Sequence, residues 1–241
     1  MSLEFSDAQK QALAGYGKPF PANADVRRWA FQDRMDLLFS YDLITIFLEA
    51  EASWGPVCSE ICVVPKYTLA AVSPIFAEHL LQKPELESFV FDVGHMDKAL
   101  QEEHRKALNS LNTWLLNLAT HTISDLKAPT FYSEISLRHI ARQLGMRFYL
   151  TDRSHELVCG AQTHTLQPWQ ITELLYASSV DIDATFPIVM ENDPLLGYLA
   201  RKTVATADLL WGDERNEAYN WLRRKENKAL ESAMQRLQEG R

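Results

Sequence analysis

Hydrophobic residues recur at helical spacing along much of this chain, and that period predicts a protein built mainly from α-helices. The clearest stripe runs through Leu100, Ala107, Leu111, Trp114, Leu115 and Leu118, which predicts a long helix from Lys98 to about Thr122 with one face in the core. From Trp29, the apolar positions Phe31, Met35, Leu38, Leu43, Phe47 and Leu48 predict one long or kinked helix that ends near Trp54, Gly55 and Pro56. The run around Ile61 to Val64 fits either a strand or a helix. Tyr67 to Leu81 reads as helical, with Ser73 capping and Pro74 at a helix start.

Turn chemistry marks the breaks between these runs. Gly15, Gly17, Pro19, Pro21 and Asn23 predict a short N-terminal helix followed by an arm, and the stretch Asp92 to Asp97, DVGHMD, predicts a turn. Beyond Pro129, ISLRHIARQLG predicts a helix that ends at Gly145. Alternation at Phe148, Leu150, Leu157 and Cys159 around a polar tip then predicts a β-hairpin over about 147–159. Further helices are expected at about 169–177, from Leu195, and around Trp211 and Trp221, with an acidic, proline-bearing connector between the first two. The fold class that follows is mainly α: a helical bundle-like body with one small β-hairpin and a C-terminal helix pair. The expected division is residues 1–28 as the arm, 29–128 as a helical domain and 129–241 as a mixed region, with one continuous domain as the alternative. No internal repeat is present.

Composition narrows the function. The 241 residues are 46% hydrophobic and 23% charged, enough to bury a sizeable core, and the formal charge of −8 disfavours a chain-wide nucleic-acid or anionic-membrane surface. No apolar run approaches the roughly 20 residues that span a bilayer, so no membrane association is expected. The N-terminal residues lack the basic start and apolar core of an export signal. Cys58, Cys62 and Cys159 are too few for a disulfide framework. A cytoplasmic location is therefore expected.

The stretch LLWGDERNEAYNWLRRKENKAL, residues 209–230, holds the most regular signature. Asp213 supplies a cap and Glu214 an acid for the first helical turn, while Ala218, Trp221 and Leu222 share one face. Leu230, Met234 and Leu237 continue the spacing, which leaves Arg223, Arg224 and Lys225 in water as candidate contacts for an acidic partner surface. Gly212-Asp213, Ala218, Trp221-Leu222, Asn227 and Leu230 resemble the start of the C-terminal toxin-binding domain of antitoxins of the Xre/MbcA/ParS type. That resemblance implies a protein partner.

Other candidate chemistry is sparse. Ala141 and Gly145, with Ile140 and Leu144, have helix-turn-helix spacing, which would put Arg138, His139 and Arg142 on a reading helix and Arg147 and Arg153 near a wing. The seven histidines are scattered without metal-ligand spacing, and Asp92, His95 and Asp97 in the DVGHMD turn invite a metal or acid-base reading, with turn chemistry alone as the commoner explanation. Cys58 and Cys62 are four apart, not a redox pair. A phosphate-cradling glycine loop, a nucleophile elbow and a catalytic His-Asp dipeptide are all absent from the sequence. No metal and no cofactor are therefore expected. The reading is a non-enzymatic protein–protein interaction module: an adaptor, a regulator or an antitoxin-like component. A winged-helix DNA-binding regulator and an enzyme with an unrecognised site are the alternatives.

Overall fold

The computed structural model describes residues 4–15, 17, 20–39, 42–52, 55–95, 98–146, 149–150, 156–161, 194–207, 235, 236 and 239. In chain order they form α1 (Asp7–Ala14), a 3-10 turn (Val26–Arg28), α2 (Phe31–Leu38), β1 (Leu43–Ala52) and β2 (Gly55–Pro65). Then come α3 (Lys66–Val72), α4 (Pro74–Gln82), β3 (Ser88–His95), α5 (Lys98–Asn117), α6 (Phe131–Gln143) and α7 (Pro194–Ala207). The described part is mostly helical, as its periodicity predicts. None of its helices is long and apolar enough to cross a membrane.

A three-stranded sheet, ordered β2-β1-β3, replaces part of the expected helical bundle. The helix expected from Trp29 to Trp54 ends after α2, and the chain from Leu43 onward is strand. β1 pairs antiparallel with β2 and parallel with β3. Ile44, Ile46 and Leu48 of β1 point inward with Val64 and Phe91, and α5 lies against this side of β1 and β2. The expected turn at Asp92 is likewise corrected, because residues 92–95 belong to β3. The hairpin expected at 147–159 does not form as drawn either: residues 149–150 and 156–161 are helical.

One hydrophobic cluster includes Phe5 and Leu13 near the N-terminus, Ile44 and Phe91 in the sheet, Trp114 in α5, Leu137 in α6, and Leu150. Residues on both sides of positions 28 and 128 thus share a core. α1 is fastened to it by Gln9, whose side-chain amide donates to the carbonyls of Ala70 and Ala71 at 3.2 and 2.8 Å. The same amide oxygen accepts from the Ser6 backbone N–H while the Ser6 hydroxyl accepts from Gln9 N–H, a reciprocal cap that fixes where α1 begins. Sequence reading places the Ser73-Pro74 boundary correctly. Ser73 caps α4 by accepting from Phe76 N–H, and its hydroxyl also donates to Leu144 O at 2.7 Å.

The end of α6 is similarly legible. Gly145 has φ 69°, and Met146 N–H returns to Ala141 O at 2.8 Å, the bond pattern that closes a helix through a left-handed residue. A Cβ at position 145 would also meet Pro74 Cγ at 3.0 Å. Gly145→Ala is expected to lower stability by about 1–2 kcal/mol, the penalty of a left-handed non-glycine residue. Urea titration measures it. A loss under about 0.5 kcal/mol, the ordinary surface range, would show that the turn relaxes around the methyl group.

Candidate interaction surface

The sheet presents two unlike faces. Its inner face is closed by α5 and the core, whereas its outer face carries Leu43, Val63 and Val90 with 55%, 42% and 43% of their surface exposed. Strand register explains why they gather. Thr45 lies between Val63 and Ser88, and Phe47 lies between Glu60 and Val90, so these side chains stand on one side of the pleat. Large side chains at a solvated sheet face cost solubility, and contiguous ones mark a contact surface.

A bulge sets the far edge of this face. Ile46 pairs with Cys62 and Phe47 with Glu60, which leaves Ile61 as the extra residue in β2. Alternation therefore changes phase there: Val63 points outward, Cys62 and Ile61 pack against the core, and Glu60 points outward again. Cys58 and Cys62 consequently lie on opposite faces. Burial pushes the Cys62 thiol up to about 11, so it stays protonated and weakly nucleophilic at neutral pH.

The residues proposed for DNA lie elsewhere. Every residue of α6 from Ser133 to Ala141 is buried, Arg138 being 1% exposed and His139 9%. Arg138 donates to Leu150 O at 2.9 Å, and His139 sits edge-on to His104 of α5 with ring centroids 5.6 Å apart. Beside them Glu134 accepts from Ala128 N–H at 2.6 Å and from the Tyr149 hydroxyl at 2.7 Å. This polar seam binds α6 to its neighbours. Arg142 is half-buried, while Arg147 and Arg153 lie outside the described residues. Of the three that are described, Arg138 and His139 lie in the interior and do not form an outer reading face with Arg142. Arg223, Arg224 and Lys225 are also outside the described residues, as is Asp97, and Asp92 and His95 are described only in their backbone.

A groove of about 320 Å³ opens between α5 and the segment 124–129. It is lined by amides and hydroxyls such as Asn109, Thr113 and Asn117, with Asp125 as its one carboxylate and no histidine or cysteine. Lys106 on its wall is held by Glu103 at 2.7 Å, which keeps the lysine charged. The groove thus lacks a nucleophile paired with a base. Among the described residues no group of three or more His, Cys, Asp and Glu is placed to hold a metal ion.

The outer sheet face is what sequence reading missed. Its signal was present in LITIFL, residues 43–48, where β-branched and aromatic residues are concentrated and lysine and arginine are missing. No protein-family model matches the chain, and no curated protein matches it either.

Proposed function

We propose that this protein acts through contact with another protein, as an adaptor, a regulator or an antitoxin-like component, rather than as an enzyme. The observation that supports this reading is the exposed outer face of the sheet, with Leu43, Val63 and Val90 standing in water on adjoining rows. Exposed apolar residues scattered singly need no explanation, but a cluster on one sheet face has the character of an interface core. The interior placement of Arg138 and His139 gives the DNA-binding alternative no comparable surface.

Site-specific photo-crosslinking in the native host tests the proposal. With a benzoylphenylalanine at Val63 or Val90, a discrete adduct with another protein is expected. The same group at Lys10, on the exposed side of α1, should give none. Equal labelling from all three positions, or no adduct from the two sheet positions, would remove the interaction reading.

A further inference from the structure

The chemistry of the outer sheet face specifies its partner: we propose that it receives a basic amphipathic helix from another protein. This rests on the reading of that face as an interaction surface and adds what would bind there. Along β1, β2 and β3 the charged residues Glu49, Glu51, Glu60 and Asp92 are all acidic, and the strands contain no lysine or arginine. Glu49 pairs with Cys58, and Phe47 pairs with Glu60, so Glu49 and Glu60 are diagonal neighbours on the exposed side, roughly 7–8 Å apart. Neither carboxylate takes part in an ion pair among the described residues.

The face is therefore divided along its length. Leu43, Thr45 and Val63 make the uncharged end, Phe47 and Val90 share the next row with Glu60 at its β2 side, and Glu49 lies one row further on. Six residues of strand separate the Leu43 and Glu49 rows, about 20 Å at 3.3 Å per residue, which matches a helix of about 13 residues. Three strands are about 10 Å across, close to the diameter of one helix. A helix with an apolar stripe and lysine or arginine toward one end would fill that space and neutralise both carboxylates. Arginine would do so with two parallel hydrogen bonds.

Charge also decides against other occupants. A second copy would bring Glu49 and Glu60 toward the same acids on a chain whose formal charge is −8. Anionic lipid and nucleic acid are repelled for the same reason.

A fluorescein-labelled 14-residue helical peptide of leucine and lysine serves as the probe, with a leucine–glutamate peptide of the same pattern as its control. Fluorescence anisotropy with the full chain should show micromolar binding of the lysine peptide that weakens as salt rises, since the carboxylates are exposed. The double variant Glu49→Lys/Glu60→Lys should weaken it at least tenfold. Asp7→Lys/Glu102→Lys makes the same charge change away from the sheet and should have much less effect. Leu43→Ser/Val90→Ser should also weaken binding at unchanged charge, with circular dichroism confirming that each variant is folded. Equal loss in the two charge-reversal variants would overturn the proposal, as would equal binding of both peptides. Crosslinks from Val63 and Val90 would in that case still uphold an interaction surface, with a partner of different chemistry. Arg223, Arg224 and Lys225 follow Trp221-Leu222 in this chain's own sequence and have the chemistry proposed for the partner. If reversing those three charges to glutamate strengthened peptide binding tenfold, the occupant would be that segment and the proposal of a separate partner would fall.

Discussion

Trp114→Ala is expected to destabilise the protein by about 3–5 kcal/mol, the range for deleting a large aromatic side chain from a packed core. Trp114 is 3% exposed, and it stands on the same side of α5 as the buried Leu111, Leu115 and Leu118. Its indole N–H donates to Ser124 O at 3.0 Å, so the ring also holds the chain that leaves α5 against the helix it has just completed. Truncation leaves a cavity and removes the donor that ties Ser124 O to the helix. Trp114→Phe keeps most of the volume and loses only the donor, so it should cost about 1–2 kcal/mol. Denaturant titration of the two variants separates packing from hydrogen bonding. A loss below about 1 kcal/mol for the alanine variant would mean that the site collapses around the missing ring.

Arg34→Met should cost about 3 kcal/mol or more, although methionine keeps the volume of the aliphatic stem and suits an apolar site. The guanidinium of Arg34 donates to Leu118 O at 2.8 Å, to Thr120 O at 2.9 Å and to Trp29 O. Leu118 and Thr120 follow the last turn of α5, where carbonyls have no partner further along the helix. One cation thus closes the end of α5 and pins α2 to it. Methionine would leave buried carbonyls without donors, at about 1–3 kcal/mol for each that water does not reach. Arg34→Lys is the discriminating variant. It keeps the charge but cannot fork to three acceptors, so it should recover less than half of the loss. Amide exchange at residues 116–120 should accelerate in both variants. Wild-type stability in the lysine variant would show that a point charge suffices and that the fork geometry contributes nothing.

These two residues mark the limits of what the sequence disclosed. Trp114 was legible because α5 has one buried stripe and one wet face, so its period of 3.6 survives in the sequence. Gly145 and Ser73-Pro74 were legible because their backbone geometry favours those residue types. Arg34 was not, since an arginine in a short amphipathic helix looks the same whether it points into water or into three carbonyls. Arg138 and His139 misled for a related reason. The stretch of α6 from Ser133 to Ala141 is buried all round, so its polar residues mark internal hydrogen bonds and not an outer face.

The sheet was hidden by its own chemistry. A half-buried strand announces itself by alternating apolar and polar residues, but β1 has Leu43 and Phe47 outside as well as Ile44, Ile46 and Leu48 inside. The result is a continuous apolar run that helix spacing also fits. In β2 the bulge at Ile61 moves the alternation by one residue, and in β3 the turn-forming letters of DVGH are accommodated on an edge. The feature that obscured the strand, an apolar outer face, is the one that supports a partner.

The bulge also bears on how an edge beside such a surface resists pairing with identical chains. Among the described residues β2 is an eleven-residue edge strand beside exposed valine and leucine, the arrangement from which identical chains add strand to strand into fibres. Ile61 interrupts it. An incoming flat strand that matches the amides on one side of Ile61 is out of step with those on the other, and Pro56 and Pro65 near the two ends have no N–H to offer. Only short runs are left for a neighbour to pair with. The fold thereby leaves apolar side chains exposed on the face of its sheet while making the rim of that sheet a poor template for aggregation.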